Sequence, residues 1–197
     1  MKHSLLIALG LLVVFIAYWS IYYVITPMPA DFEYDDNLSE PILIAHAGGE
    51  IEGHIYTNSV EAVIQSISNQ YKFIELDLRK TADNHIVALH DWKRFHKFSG
   101  YEGKSERLEL SQCKQRVLFD KFHPATAEDI NKLFIGSGCF LVTDKIRDYD
   151  LLNSEIQISK DSMLVECFSY HSYLRALKKG IKYPMLCLSG SDFRMFF

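Results

Sequence analysis

The sequence predicts an α/β domain of βα units around a parallel sheet, carried behind one N-terminal transmembrane helix. Two observations carry this reading. From Pro41 onward, short apolar runs alternate with stretches of helical periodicity, the pattern of strands joined by helices. Ahead of them, no charged residue occurs between Ser4 and Thr26. A helix of about 20 apolar residues spans the roughly 30 Å of a bilayer core.

The N-terminal stretch has further marks of an anchor. Tyr18, Trp19, Tyr22 and Tyr23 gather toward its end, as an interfacial aromatic belt does, and Pro27 and Pro29 stop the helix. A cleaved signal peptide has a shorter apolar core ending in small residues, so an uncleaved anchor over residues 1–26 is expected. Lys2 precedes the span, and Asp31, Glu33, Asp35 and Asp36 follow it. That asymmetry places the N-terminus in the cytoplasm and the domain on the outer side. Residues 27–40 are acidic and contain proline, and read as a linker. Residues 41–197 form the domain.

Composition removes several classes. The 197 residues include 48% hydrophobic side chains, which suits a packed core and not a disordered chain. A net charge of -4 without a basic cluster argues against nucleic-acid binding. Cys113, Cys139, Cys167 and Cys187 form no CxxC pair, so zinc is not expected and buried free thiols are.

The elements follow in order. Pro41–His46 is a short apolar run of the buried parallel-strand kind, broken by Gly48-Gly49. Asn58 is a candidate N-cap with Glu61 three residues on, and Val60, Val63, Ile64 and Ile67 supply an apolar helix face. Phe73–Leu78 is a second strand, and Ile86–His90 a third after a turn at Asp83-Asn84. Residues 92–124 read as an irregular excursion over the mouth of the sheet. Thr126 opens a helix, Phe140–Thr143 is a fourth strand and Met163–Cys167 a fifth. His171–Lys179 is a helix ending at Gly180, and Pro184–Leu188 is a sixth strand. An eight-stranded TIM barrel takes about 250 residues. The expectation is therefore a (β/α)8-type barrel truncated after about six strands.

Four polar residues interrupt these apolar strands or end them: His46, Glu75, Asp77 and His90. Glu75 and Asp77 are two apart on one strand and so share a face. Two ionised carboxylates on a buried face repel one another and are costly to desolvate, which a divalent cation relieves. Paired carboxylates suit Ca²⁺ or Mg²⁺. Strand C-terminal ends converge on one mouth of a parallel barrel. That would bring His46 and His90 together as an acid–base pair beside the metal.

The order His46-Ala47-Gly48, Asn58-Ser59, Glu75-Leu76-Asp77, Thr81-Ala82-Asp83-Asn84, His90-Asp91 resembles the glycerophosphodiester phosphodiesterase family, relatives of the phosphatidylinositol phospholipase C barrels. The resemblance implies a (β/α)8 barrel that hydrolyses a glycerophosphodiester to glycerol 3-phosphate and an alcohol. It makes His46 and His90 the acid–base pair and Glu75 and Asp77 metal ligands. Two departures stand out. The family's arginine after the first histidine is Ala47, with Arg79 or Lys145 as candidate substitutes. The family's Glu-x-Lys on the fourth strand is Thr143-Asp144-Lys145, so Asp144 reaches the metal only if a bulge turns it inward. Asp144, Lys145, Glu166 and Glu50 are therefore possible additional metal or substrate contacts. The alternative to an enzyme is a truncated or inactive barrel relative that binds a headgroup or a partner.

Overall fold

The structure, a computed structural model, describes residues 2–25, 42–101 and 104–187. The chain divides into two compact units, Met1–Leu38 and Ser39–Phe197. The expected linker over 27–40 and the end of the sixth strand at Leu188 lie outside the described residues.

In the first unit, Lys2–Ile25 forms one helix, α1. Its apolar side chains Leu11, Val14, Phe15 and Tyr18 are each 60–67% exposed. Among the described residues no helix is long and apolar enough to cross a membrane.

Among the described residues the second unit has six strands in one sheet. They are β1 (Ile44–Ala45), β2 (Phe73–Lys80), β3 (Ile86–Ala88), β4 (Phe140–Asp144), β5 (Met163–Cys167) and β6 (Tyr183–Leu186). The order β1-β2-β4-β5-β6 is parallel throughout. Helices α2 (Val60–Ser68), α5 (Ala127–Phe134), α6 (Tyr149–Glu155) and α7 (Tyr170–Lys178) make the crossovers. This is the expected βα architecture. Along β2, Ile74, Leu76 and Leu78 are fully buried and join Val63 of α2 and Ile130 of α5 in the main core. Glu75 and Asp77 alternate with them and face the other way.

The third strand departs from the expectation. β3 pairs antiparallel with β2 and lies off the main path, with Leu78 opposite Ala88 and Lys80 opposite Ile86. Residues 81–85 are too few for a parallel crossover, which needs a dozen or more, and can close only a hairpin. Among the described residues, five parallel strands therefore stand where six were expected.

Residues 92–124 are also more regular than expected. They form α3 (Trp92–Phe98) and α4 (Leu110–Lys114), with a second apolar cluster built from Leu89, Phe95, Leu108, Cys113, Leu118 and Phe122. His96 is fully buried, and its Nε2 lies 2.9 Å from the Glu106 carbonyl. All four cysteines are free thiols.

Candidate active site

The loop after β1 is built by left-handed backbone. Ala47, Gly48 and Gly49 have φ of 52°, 84° and 96°. A Cβ at Gly49 would collide with the Ser66 hydroxyl, which donates its O–H to the Gly48 carbonyl at 2.7 Å. This wrapped turn aims the Ala47 N–H at Glu75 Oε2, 2.7 Å away. It also leaves His46 exposed, with Nε2 3.7 Å from the same carboxylate oxygen.

Glu75, Asp77 and Asp144 converge. One carboxylate oxygen from each lies within 4.8 Å of the others, and all three residues are buried. Asp144 arrives without a bulge. It is the direct register partner of Asp77 across the parallel β2–β4 pair, and Glu75 partners Val142. Asp144 therefore shares the inner face, while Thr143 points the other way and donates its hydroxyl to the Leu76 carbonyl at 2.9 Å. The expectation that Asp144 sits on the wrong face is corrected by this register. Lys145, at φ 59°, returns its ammonium to Asp144 at 2.5 Å and Asp77 at 3.5 Å.

Asn58 has a different task from the one its sequence position suggests. Ser59 caps α2 by accepting the Ala62 N–H. Asn58, fully buried at φ 50°, braces Asp77 from both sides. Its Nδ2 donates to Asp77 Oδ2 at 3.0 Å, and its Oδ1 accepts the Asp77 N–H at 2.9 Å.

The histidines meet through a residue that carried no sequence signal. The Tyr56 ring packs edge-on against His46 (4.9 Å between centroids) and against His90 (5.8 Å), and Arg94 stacks on it at 4.7 Å. A lone tyrosine in a polar loop reads as ordinary surface; only the fold shows what it touches. His90 reaches this position because the β2–β3 hairpin runs back along β2, with the Leu89 N–H donating to the Asp77 carbonyl. Its Nδ1 is 2.8 Å from Asp91 Oδ2. Asp91 also caps α3 by accepting the Arg94 N–H at 2.8 Å. Burial opposes ionisation of Asp91, but the bonds from Arg94 and His90 hold its carboxyl below the usual range.

The remaining candidates separate clearly. Arg79 is committed elsewhere, donating through Nε and one terminal amino group to the His90 carbonyl at 3.1 and 2.9 Å. Glu166 is half-buried on β5 and close enough for its charge to raise the pKa of Glu75. Glu50 is exposed and outside the carboxylate cluster, with its carbonyl accepting from Gln65.

The electrostatics call for a cation. Burial pushes the Glu75 carboxyl up to about 8, against the Ala47 N–H and reinforced by the charges of Asp77, Asp144 and Glu166. Burial likewise pushes Asp144 up to about 6, with Lys145 opposing. Asp144 Oδ1 is buried without a hydrogen-bond partner, a state that costs on the order of 1–3 kcal/mol or more. An oxygen-only donor set of this kind fits a hard divalent cation.

Comparison with known proteins decides the ancestry. The model of the Glycerophosphoryl diester phosphodiesterase family matches residues 46–145, just over half the chain. The chain belongs to this family. Its fold is shared with a phosphodiesterase of Oleispira antarctica solved in complex with the product sn-glycerol-3-phosphate. That match has TM-score 0.63 and 16% identity and covers 79% of this chain and 70% of that one. It is shared also with a glycerophosphoryl diester phosphodiesterase of Parabacteroides distasonis (TM-score 0.62, 17% identity, 83% and 60% covered). A glycerophosphodiester phosphodiesterase of Thermotoga maritima matches with TM-score 0.56 and 19% identity, 78% and 65% covered. The chain thus spans less than two thirds of the last two structures. A comparison with curated protein sequences found no match. Family membership agrees with the motif resemblance, and the matched segment contains every residue of the cluster.

Proposed function

We propose that the protein is a metal-dependent phosphodiester hydrolase, releasing glycerol 3-phosphate and an alcohol from a glycerophosphodiester. The observation that carries this is one juxtaposition. The buried triad Glu75, Asp77 and Asp144 lies beneath His46, and Tyr56 packs against both His46 and His90.

Glu75, Asp77 and Asp144 would hold Ca²⁺ or Mg²⁺. When bound, such an ion supplies neutralisation of the diester's charge. The protein's own groups do the rest. With Nδ1–H donating to Asp91, His90 keeps Nε2 free to take or give a proton. His46, exposed at the rim, is the second proton carrier, so one histidine serves the attacking oxygen and the other the leaving alkoxide. Tyr56 positions both rings. Lys145, its ammonium 2.5 Å from Asp144 and 3.5 Å from Asp77, lines the cleft beside the cluster. It provides cationic character at the site in a chain that has Ala47 where the family carries arginine.

The test is hydrolysis of glycerophosphocholine by the full chain, with and without EDTA. We expect metal dependence, and a fall of about 10²–10⁴-fold in kcat for His46→Ala and for His90→Ala. Unchanged turnover in either variant would overturn the assignment. Ala47, together with the commitment of Arg79 to the His90 carbonyl, favours a second reading, a relative that binds a headgroup without cleaving it. Metal-dependent binding of glycerol 3-phosphate without turnover would select that reading.

We further propose that α1 anchors the domain, with the N-terminus in the cytoplasm and the domain outside. The exposed apolar surface between Leu9 and Trp19 supports this. The full chain should sediment with membranes and resist extraction by carbonate. Release by carbonate would rule out the anchor.

A further inference from the structure

Two adjoining clefts open beside the carboxylate cluster. One, of about 570 Å³, is lined by residues including Arg79, Lys145, Arg147, Glu166 and Phe168. The other, of about 500 Å³, shares Arg79, Lys145 and Arg147 and adds Trp92, Arg107 and Arg175. Lys145 belongs to both clefts and touches Asp77 and Asp144, so the clefts are continuous with the metal-binding face.

Their charge is at odds with that of the chain. The protein carries a net -4, yet Arg79, Lys80, Arg107, Lys145, Arg147 and Arg175 meet here, and among the described residues the lining carboxylates are Asp148 and Glu166, with Asp77 and Asp144 beyond Lys145. Part of this charge already has partners. Lys80 pairs with Asp148 at 3.3 Å. Arg79 is spent on the His90 carbonyl, and Arg175 donates to the Arg147 carbonyl at 2.5 Å. Arg107 and Arg147 are different. Both are exposed, and among the described residues no carboxylate lies within ion-pair distance of either. Free guanidinium forks on the wall of one cleft are a receptor for a planar or tetrahedral anion, which each can bind through two parallel N–H bonds.

We propose that this cleft receives an anionic substituent, a second phosphate or a carboxylate, carried on one alcohol portion of the substrate. The inference rests on the phosphodiesterase reading and narrows its substrate class. A diester whose phosphate lies at the carboxylate cluster extends one alcohol past Lys145 into the cleft. A cationic alcohol such as choline meets like charge there, and an anionic one meets Arg147 and Arg107.

The test compares kcat/KM for glycerophosphoinositol 4-phosphate and glycerophosphocholine, using the full chain with Mg²⁺ or Ca²⁺ in nanodiscs of neutral lipid. The polyanionic substrate should be preferred by about tenfold or more. In the double variant Arg107→Ala, Arg147→Ala that preference should fall by about the same factor, chiefly through KM. An unchanged ratio would overturn the proposal. Calorimetric titration with inositol 1,4-bisphosphate separates the cleft from the chemistry. Binding that the double variant loses supports the cleft even if no diester is cleaved, and absence of binding overturns it even if diesters are cleaved. Nanodiscs containing phosphatidylserine separate the two sources of anion. Loss of inositol bisphosphate binding in those discs would assign the cleft to a lipid headgroup and overturn the substrate assignment.

Discussion

Asp91 performs two tasks with two oxygens, and a single substitution can separate them. Oδ1 accepts the Arg94 N–H and caps α3, while Oδ2 holds His90 Nδ1. Asparagine caps helices about as well as aspartate. In Asp91→Asn, with its amide nitrogen at the Oδ2 position, the histidine faces a donor in place of a carboxylate. We expect kcat to fall by about 10²-fold or more, with thermal stability within about 0.5 kcal/mol of wild type. A parallel loss of stability and activity would show that the histidine contact is incidental. Asn58 makes the complementary case. Asn58→Ala removes both bonds to Asp77 and leaves a buried N–H unpaired, at a cost of about 2–4 kcal/mol. Second-layer losses of this kind typically weaken metal binding by about 10–100-fold, so calorimetric Mg²⁺ or Ca²⁺ titration of the variant should show both effects. At this scale the sequence was legible where chemistry forces a residue type. The buried carboxylates and the two histidines stood out because they interrupt apolar strands. Asn58 read as a helix cap because a left-handed backbone at that position has no sequence signature of its own. Tyr56 was silent for the same reason.

Strand register decides which carboxylate is the third member of the cluster. The run Thr143-Asp144-Lys145 leaves open which residue faces inward, because parity along β4 is fixed only by its pairing with β2. Asp144 lies beside Asp77 in that pairing, and Thr143 is consigned to the opposite face. Two substitutions check this. Thr143→Val should cost about 1–2 kcal/mol for the lost bond to the Leu76 carbonyl and leave metal affinity intact. Asp144→Asn should lower metal affinity by about tenfold or more. The reverse pattern in a titration would mean that the register is wrong. Strand direction was partly legible as well. The strand at Ile86 and the turn at Asp83-Asn84 were readable from composition, but apolar runs carry no arrow. The five-residue connection is what forces the antiparallel return, and that return, not a second parallel crossover, brings Leu89 level with Asp77 and His90 one residue beyond it. Helix α6 escaped notice because its seven residues give too few turns for a periodicity to register.

At the scale of the whole molecule, the cluster links stability, pH and metal. The folded state holds Glu75 at about 8 and Asp144 at about 6, both raised by burial from the ordinary carboxylate range. A carboxyl with a raised folded pKa binds its proton more tightly in the native state than in the unfolded chain. Its contribution is complete below about pH 4 and is lost as pH rises through about 6 and then about 8. Without metal, this cluster therefore weakens the fold progressively across the neutral range. A divalent cation needs these same carboxylates ionised, so it competes with protons at low pH and binds freely at high pH. Binding to the native state alone stabilises by RT ln(1 + [L]/Kd). The difference in melting temperature between samples with Ca²⁺ or Mg²⁺ and samples with EDTA should accordingly be small near pH 5 and grow steadily to pH 8.5. In Asp144→Asn, which removes the group that titrates near 6, the rise between pH 5 and 7 should flatten, leaving a later rise governed by Glu75. A metal effect independent of pH would mean that the ion binds elsewhere than among Glu75, Asp77 and Asp144.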